Sequence, residues 1–203
     1  MIEQEHPFPS AKRLIRRESA AFVRAAILVS LILLAVTVAL LAQLPRAVAA
    51  EGPSGLPLPR FATTRSTPIN VRVGPGPRYN VAWVYVRAGT PVEIIQEFDV
   101  WRKIRDADGS EGWVHQNLLS GRRAGVTLAH GAEQQFALRG GRSEDAGVRA
   151  YVGPGFPLQI DGCDGTWCEV VATDHPAGGR SAAYSGYLLQ SVIWGVYAGE
   201  RFN

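Results

Sequence analysis

The chain has 203 residues, of which 46% are hydrophobic and 19% are charged, so it is neither a disordered tail nor a coiled coil. Its formal net charge of +3 is carried entirely by the first 49 residues, which leaves the rest of the chain neutral. A neutral body does not favour binding to nucleic acid, because that binding depends on a basic surface.

The first 49 residues have the pattern of an export signal. Basic residues precede an uncharged apolar run at 25–44, and small residues follow at 47–49, which is the order found in secretory signal peptides. The run also has the length of a membrane-spanning helix, roughly 20 residues, so an uncleaved anchor at 25–44 is the alternative. Either interpretation exports the body to the periplasm or the cell surface. Contact with a membrane is expected only through this segment, if it is not cleaved.

Residues 50–60 are rich in Pro and Gly and predict a semi-extended linker between the leader and the body. Beyond this linker, short runs rich in Val, Ile, Tyr and Trp alternate with turn residues. Short strands at this spacing predict an all-β fold built from small barrels or sandwiches.

The apolar runs occur in two copies. Tyr, Val, Gly, Pro, Ile and Trp recur in register at an offset of 66, and a later segment recurs at an offset of 74 (85–104 with 151–170, and 112–121 with 186–195). The second copy therefore has eight extra residues, which fall near 173–185. The repeat predicts two units, at 60–121 and 122–200.

Cys163 and Cys168 are the only cysteines, and a pair at this spacing offers too few ligands for zinc. Gly165 suits the first central position of a two-residue type II′ turn, which would place the two cysteines opposite each other, ~4.5 Å apart at Cα. That separation suits a disulfide, and an exported chain meets an oxidising compartment. We therefore predict a disulfide that staples the second unit, with a reduced buried pair as the alternative. At the same positions of the first unit, Glu97 and Arg102 suit a cross-strand contact of opposite charges.

The sequence carries no motif of an enzyme or of a cofactor site. None of the four histidines is spaced with a second His, Cys or carboxylate as metal ligands are, and no nucleophile–base motif occurs. We therefore predict no catalytic residues, no metal and no cofactor. Aromatic side chains are the candidates for binding, because Trp and Tyr suit surfaces where an apolar face meets polar ligand groups. The candidates are Tyr79, Trp83, Trp101 and Trp113, and burial in a core is the alternative for each.

The first unit resembles the bacterial SH3-like domain. The matching motifs are Asn70-Val71-Arg72-x-Gly-Pro-Gly, Gly89-x-Pro-Val, Trp101-Arg-Lys-Ile, and Asp108-Gly109 leading to Gly112-Trp113-Val114. The second unit is a degenerate copy that keeps several of these positions but loses the Gly-Pro-Gly turn and has Tyr187 in place of Trp. The resemblance implies two small SH3-like β-barrels in tandem after the N-terminal segment, and it implies a binding module.

These observations together predict an exported, non-catalytic binding module of the cell envelope. The expected partners are peptidoglycan peptides or an envelope protein, contacted by the four aromatic residues of the first unit. The alternative is a structural or assembly protein that pairs an exposed strand edge with a protein partner. The extra residues at 173–185 would then supply the contact, since loops on a rigid scaffold often carry function.

Overall fold

A computed structural model describes residues 23–24, 26–36, 50–128, 135–176 and 179–203. The chain divides into two compact units, Met1–Val48 and Ala49–Asn203. Residues 26–36 are helical, and none of the helical segments that the structure describes is long and apolar enough to cross a bilayer. The remainder of the predicted apolar run and the predicted cleavage site at 47–49 lie outside the described residues.

The unit Ala49–Asn203 consists of antiparallel β-structure, as the sequence predicts. Its first part forms a two-stranded hairpin followed by a seven-stranded sheet with the order β5-β4-β8-β7-β6-β3-β9. The strands are β1 (Ala50–Glu51), β2 (Pro57–Leu58), β3 (Arg60–Thr64), β4 (Ile69–Arg72), β5 (Val81–Tyr85), β6 (Pro91–Phe98), β7 (Trp101–Arg105), β8 (Glu111–His115) and β9 (Leu119–Ser120). We call the part formed by β3–β9 the first domain.

The second part repeats this strand order. Its sheet runs β12-β11-β15-β14-β13-β10-β16, and β17 pairs with β13. The strands are β10 (Ala124–Thr127), β11 (Phe136–Arg139), β12 (Val148–Val152), β13 (Pro157–Asp164), β14 (Trp167–Asp174), β15 (Ala182–Leu189), β16 (Ile193–Trp194) and β17 (Arg201–Phe202). We call the part formed by β10–β17 the second domain.

The strand pairing supports the offset of 74 found in the sequence repeat. Arg72 in β4 lies opposite Trp113, and Arg139 in β11 lies opposite Tyr187, which is 74 residues later than Trp113. The eight extra residues lengthen one hairpin. Strands β14 and β15 have eight residues each, whereas β7 and β8 have five, and the loop between them is longer by two.

Each domain encloses its own apolar core. Along β7, burial alternates, so that Arg102 and Ile104 point inward while Trp101, Lys103 and Arg105 are partly exposed. This is the period of two expected for a strand with one face on a core. The largest fully buried apolar side chains are Ile69, Val71, Val92, Ile104 and Val114 in the first domain, and Leu138, Cys168, Val170 and Leu188 in the second.

Glu97 and Arg102 form the cross-strand ion pair that the sequence predicts. They lie opposite each other in the β6–β7 hairpin, with Arg102 Nε 3.0 Å from Glu97 Oε1, and the Glu97 side chain has no exposed surface. The same carboxylate accepts hydrogen bonds from the Arg60 guanidinium and from both the backbone N–H and the hydroxyl of Ser54. These donors compensate for the burial of the charge.

Ser54 lies in the turn between β1 and β2, so the hairpin covers Glu97. The prediction of a semi-extended spacer at 50–60 is therefore wrong, because Ala50 pairs with Leu58 and the segment is tied to the first domain. The Pro and Gly content of residues 50–60 shows only that this segment has no periodic pattern of apolar residues. The Glu97 carboxylate that binds the segment lies more than 40 residues away in sequence, so the local sequence does not reveal the contact.

The predicted disulfide between Cys163 and Cys168 is present. The two residues are paired across β13 and β14, with a Cα–Cα distance of 4.1 Å. The turn has two residues, and Gly165 takes a positive φ of 97°, which glycine adopts without steric cost. The Asp164 carboxylate accepts the backbone N–H groups of Thr166 and Trp167, which holds the turn.

The two domains are in direct contact. Phe61 is buried against two aromatic rings of the second domain, with centroids 5.1 Å away at Trp194 and 4.7 Å away at Tyr197. The Tyr197 hydroxyl donates to Glu93 Oε1 at 2.9 Å. Burial and the neighbouring Glu93 carboxylate both raise the pKa of Tyr197 above its ordinary value. The hydroxyl therefore stays protonated and keeps this hydrogen bond over the physiological pH range.

We predict that replacing both Cys163 and Cys168 with Ala lowers the free energy of unfolding by about 2 kcal/mol, because the disulfide closes only a short loop in the unfolded chain. For a chain of this size, that loss lowers the melting temperature by roughly 4–8 °C. Thermal unfolding followed by circular dichroism measures it. A reductant should lower the melting temperature of the wild type and leave the variant unchanged. A variant as stable as the oxidised wild type would contradict the stapling role.

We also predict that acid lowers the stability of the first domain by protonating Glu97. Burial acts to raise the pKa of this carboxyl, but the hydrogen bonds from Arg60 and Ser54 outweigh burial and hold the pKa below its ordinary value. The stabilisation is therefore complete above the unfolded-state pKa of about 4.3 and is lost as the pH falls through the lower folded-state pKa. Denaturant unfolding at several pH values should give Glu97→Gln a lower free energy of unfolding than the wild type at neutral pH. Between neutral pH and acid, this free energy should fall less in the variant than in the wild type. Parallel pH profiles for the two proteins would refute this role.

Candidate functional site

The outer face of the β7–β8 hairpin carries two of the four predicted binding residues. Trp101 lies opposite His115, and Lys103 lies opposite Trp113, so all four side chains share the face that points away from the core. The rings of Trp101 and His115 meet edge to face, with centroids 5.7 Å apart. Trp101 is half-buried and Trp113 is only 8% exposed. Trp101 is therefore the more accessible of the two indoles.

Arg72 connects Tyr79 to this face. Arg72 lies opposite Trp113 on the other side of β8, and its guanidinium donates to the backbone carbonyl of Tyr79 at 2.7 Å. The Tyr79 ring is 48% exposed and covers Gly74 so closely that a Cβ atom at Gly74 would overlap it. The segment between β4 and β5 is thus folded back beside the hairpin. We call the surface formed by Arg72, Tyr79, Trp101 and His115 the first groove.

Trp83 lies elsewhere. It pairs with the buried Val71 and packs against the first core, and a Cβ atom on Gly112 would come within 2.9 Å of its ring. Its indole meets the ring of Tyr85 edge to face at 6.2 Å. The structure therefore brings Tyr79, Trp101 and Trp113 to one side of the sheet and places Trp83 on the other.

Tyr85 is the residue beside Trp83 whose ionisation is most strongly perturbed. Burial, followed by the nearby Asp106 carboxylate, raises the pKa of Tyr85 above its ordinary value. Its hydroxyl donates to Asp106 at 3.3 Å. This group is a neutral, hydrogen-bonded part of the packing, and it is not poised for acid–base chemistry.

A cavity of about 320 Å³ lies in the second domain. Its lining combines aliphatic side chains and one amide with three aromatic rings and two charged groups: Gln135, Phe136, Ala137, Arg139, Glu144, Tyr151, Trp167, Leu188, Leu189 and Val192. We call this cavity the second groove.

The second groove is the counterpart of the first. Trp167 begins β14 as Trp101 begins β7, and Leu189 lies opposite Trp167 as His115 lies opposite Trp101. The Arg139 guanidinium donates to the backbone carbonyl of Ala146, seven residues later, at 3.0 Å. Arg72 makes the same bond to the residue seven positions after it. The tryptophan and the arginine are thus retained at the same place in both domains.

The binding residues predicted from the sequence all lie in the first unit, so none of them lines the second groove. Aligning Trp101 with Trp167, which the repeat already allows, is the signal that could have found the cavity. Among the residues that the structure describes, no group of three or more His, Cys, Asp or Glu is placed to hold a metal ion.

We predict that Arg72→Ala loosens the segment between β4 and β5, because its charge-assisted hydrogen bond to Tyr79 is worth about 1.5–3 kcal/mol. Backbone amides at 74–80 should then exchange hydrogen about tenfold faster or more by mass spectrometry. Arg65→Ala removes an exposed arginine and serves as the control, which should leave exchange in this segment unchanged. Equal exchange in the two variants would show that Arg72 does not hold the segment.

Comparison with known proteins gives one family and likenesses to several solved structures. The model of the family described as "Bacterial SH3 domain" matches residues 65–121 and 132–195. No curated protein matches the sequence. Among solved structures, NlpC2 from Trichomonas vaginalis is 13% identical with a TM-score of 0.28, and the match covers 67% of this chain and 48% of that one. NlpC1 from the same organism is also 13% identical with a TM-score of 0.28, covering 74% of this chain and 50% of that one.

The chain thus spans about half the length of each of these two structures. The two segments matched by the family model make up more than half of the chain, and they contain strands β4–β9 and β11–β16. The chain therefore belongs to the bacterial SH3 domain family.

Proposed function

We propose that the protein is an exported, non-catalytic binding module of the cell envelope that recognises peptidoglycan peptides or an envelope protein through the first groove. The observation that carries this proposal is the retention of one tryptophan and one arginine at the same place in both domains, in spite of their divergence elsewhere. Membership of the bacterial SH3 domain family supports a binding role.

The first groove offers two kinds of contact to a peptide. The faces of Tyr79 and Trp101 give apolar surface next to polar groups, which suits the mixed character of a peptide chain. Arg72 keeps further N–H donors beyond the one given to Tyr79, and these can bind carbonyl or carboxylate oxygens. Lys103 on the same face is already paired with Glu111 at 2.6 Å, whereas Arg72 makes no ion pair within residues 50–128, 135–176 and 179–203.

The Cys163–Cys168 disulfide supports the exported location. Disulfides persist in oxidising compartments and are rare in the reducing cytosol. Export through the leader would place the grooves in the periplasm or at the cell surface. If residues 25–44 are retained as an anchor, the grooves would be tethered to the membrane.

The proposal predicts that Trp101→Ala weakens binding of the purified protein to isolated peptidoglycan sacculi by about tenfold or more, as expected for a central aromatic contact. Co-sedimentation measures the bound fraction. Tyr184→Ala is the matched control, because this tyrosine is 44% exposed on the long β14–β15 hairpin. A thermal melt of each variant checks folding. Trp113 is a poorer target, because its indole is buried and its removal would also lower stability.

Each outcome of this experiment decides one point. If Trp101→Ala sediments like the wild type, the first groove is not the contact. If the wild type itself does not sediment with sacculi, the wall is not the ligand, and the same variants should be tested against envelope proteins.

A second candidate function is assembly with a protein partner through the β14–β15 hairpin. The observation that favours it is the extension of this hairpin by three residues in each strand, with Tyr184 exposed along it. Cross-linking in cells would test it. Tyr184→Ala should remove a cross-linked partner and leave sedimentation with sacculi unchanged. If the partner is still cross-linked and sedimentation is lost, the β14–β15 hairpin is not the surface that contacts a protein partner.

A further inference from the structure

The two grooves differ at two positions that determine what each can bind. The strand pairing aligns Tyr151 with Val84, because Tyr151 lies opposite Ala137 in the second domain and Val84 lies opposite Asn70 in the first. This alignment is one residue away from the match of Tyr151 with Tyr85 that the sequence offset of 66 gives. The same register places Glu144 where the first domain has Pro77. The second groove therefore has a phenol ring and a carboxylate at positions where the first domain has Val84 and Pro77.

The charged groups around the second groove are not equally available. Arg139 gives one N–H to the carbonyl of Ala146. Arg142, in the same segment as Glu144, lies 3.6 Å from Asp164 and 4.0 Å from Glu169, with its guanidinium over the ring of Tyr187. Within residues 50–128, 135–176 and 179–203, no cation forms an ion pair with Glu144.

We propose that the second groove binds a primary ammonium group next to an apolar group of a short peptide. Glu144 supplies the negative charge, and the rings of Tyr151 and Trp167 supply faces that attract a cation. Phe136 and Leu188 line the same cavity and suit the apolar group.

The size and the remaining donors fit this ligand. A volume of about 320 Å³ lies near the lower limit of small-ligand sites, roughly 300–1,000 Å³, which suits a group the size of a dipeptide. Arg139 has N–H donors left for the carbonyl oxygens of a peptide backbone. Tyr151 is 63% exposed as a residue, so a ligand can reach it without opening the core.

This inference goes beyond the function proposed for the first groove. It assigns a different chemistry to the second domain, so that the two domains select different groups. Because Glu144 and Tyr151 have no counterparts in the first groove, failure of the ammonium site leaves the proposal for Trp101 standing.

Isothermal titration calorimetry on the purified protein tests the inference with two matched probes. The first is N-acetyl-leucyl-lysine amide, which has an apolar side chain and a primary ammonium. The second is the same dipeptide with an acetylated lysine side chain, which keeps the length and removes the charge. We expect the charged probe to bind about tenfold more tightly or more, the difference that one charge-assisted hydrogen bond supplies.

Three variants locate the site. Glu144→Gln should weaken binding of the charged probe about tenfold and remove the difference between the probes. Asp145→Asn neutralises the adjacent carboxylate, which does not line the cavity, and should leave binding unchanged. Trp101→Ala alters only the first groove and should also leave binding of the charged probe unchanged.

Several results would overturn the proposal. Equal affinity of the two probes, or no binding of the charged probe at millimolar concentration, would show that the cavity does not select an ammonium. If Glu144→Gln and Asp145→Asn weaken binding of the charged probe equally, the binding depends on general surface charge and not on Glu144 in the cavity. Loss of binding in Trp101→Ala would place the ammonium site in the first domain.

Discussion

A cross-strand pair beside a two-residue turn fixes the central hairpin of each domain. In the first domain the pair is Glu97 and Arg102, and in the second it is the disulfide between Cys163 and Cys168. Side chains alternate along a strand, so an inward pair at this position sends the preceding residue of the second strand outward. A slip of one residue would reverse every side chain of the strand. The outward positions of Trp101 and Trp167, and hence both grooves, depend on this register.

The two domains meet this constraint with different chemistry, and the difference has structural consequences. A buried carboxylate needs donors around it, because burial of a charge without partners is costly. The first domain supplies them from Arg60, Arg102 and Ser54, which recruits the β1–β2 hairpin to the domain. The second domain uses a covalent bond, which has no such need. The segment before the first domain is therefore part of the fold.

Much of this architecture could be predicted from the sequence, because turn chemistry and the repeat constrain each other. The spacing of Gly165 between the cysteines indicates a two-residue turn, and the repeat then transfers the pairing to Glu97 and Arg102. Alternation alone also places Trp101 and Trp113 on one face. It does not show how deeply either is buried, since burial depends on neighbouring strands that sequence spacing does not identify.

The rest could not be predicted, for physical reasons that differ from case to case. Trp83 is on the inner side because β5 pairs with β4 through an irregular register next to Arg72, which no local pattern reveals. The hairpin at 50–58 depends on a distant carboxylate. The second groove depends on Glu144, in the loop between β11 and β12, and on Tyr151, in β12, and the two meet only when these strands and their loop are assembled.

The central claim is that the outward tryptophan of the first groove contacts the envelope ligand. The most direct measurement is a titration of the protein with soluble peptidoglycan fragments, followed by NMR at the five assigned indole N–H groups. The account predicts that the Trp101 signal shifts with increasing ligand while the Trp83 signal, on the inner side of the same sheet, stays in place. A shift at Trp83 without one at Trp101, or no shift at Trp101 at any ligand concentration, would contradict it.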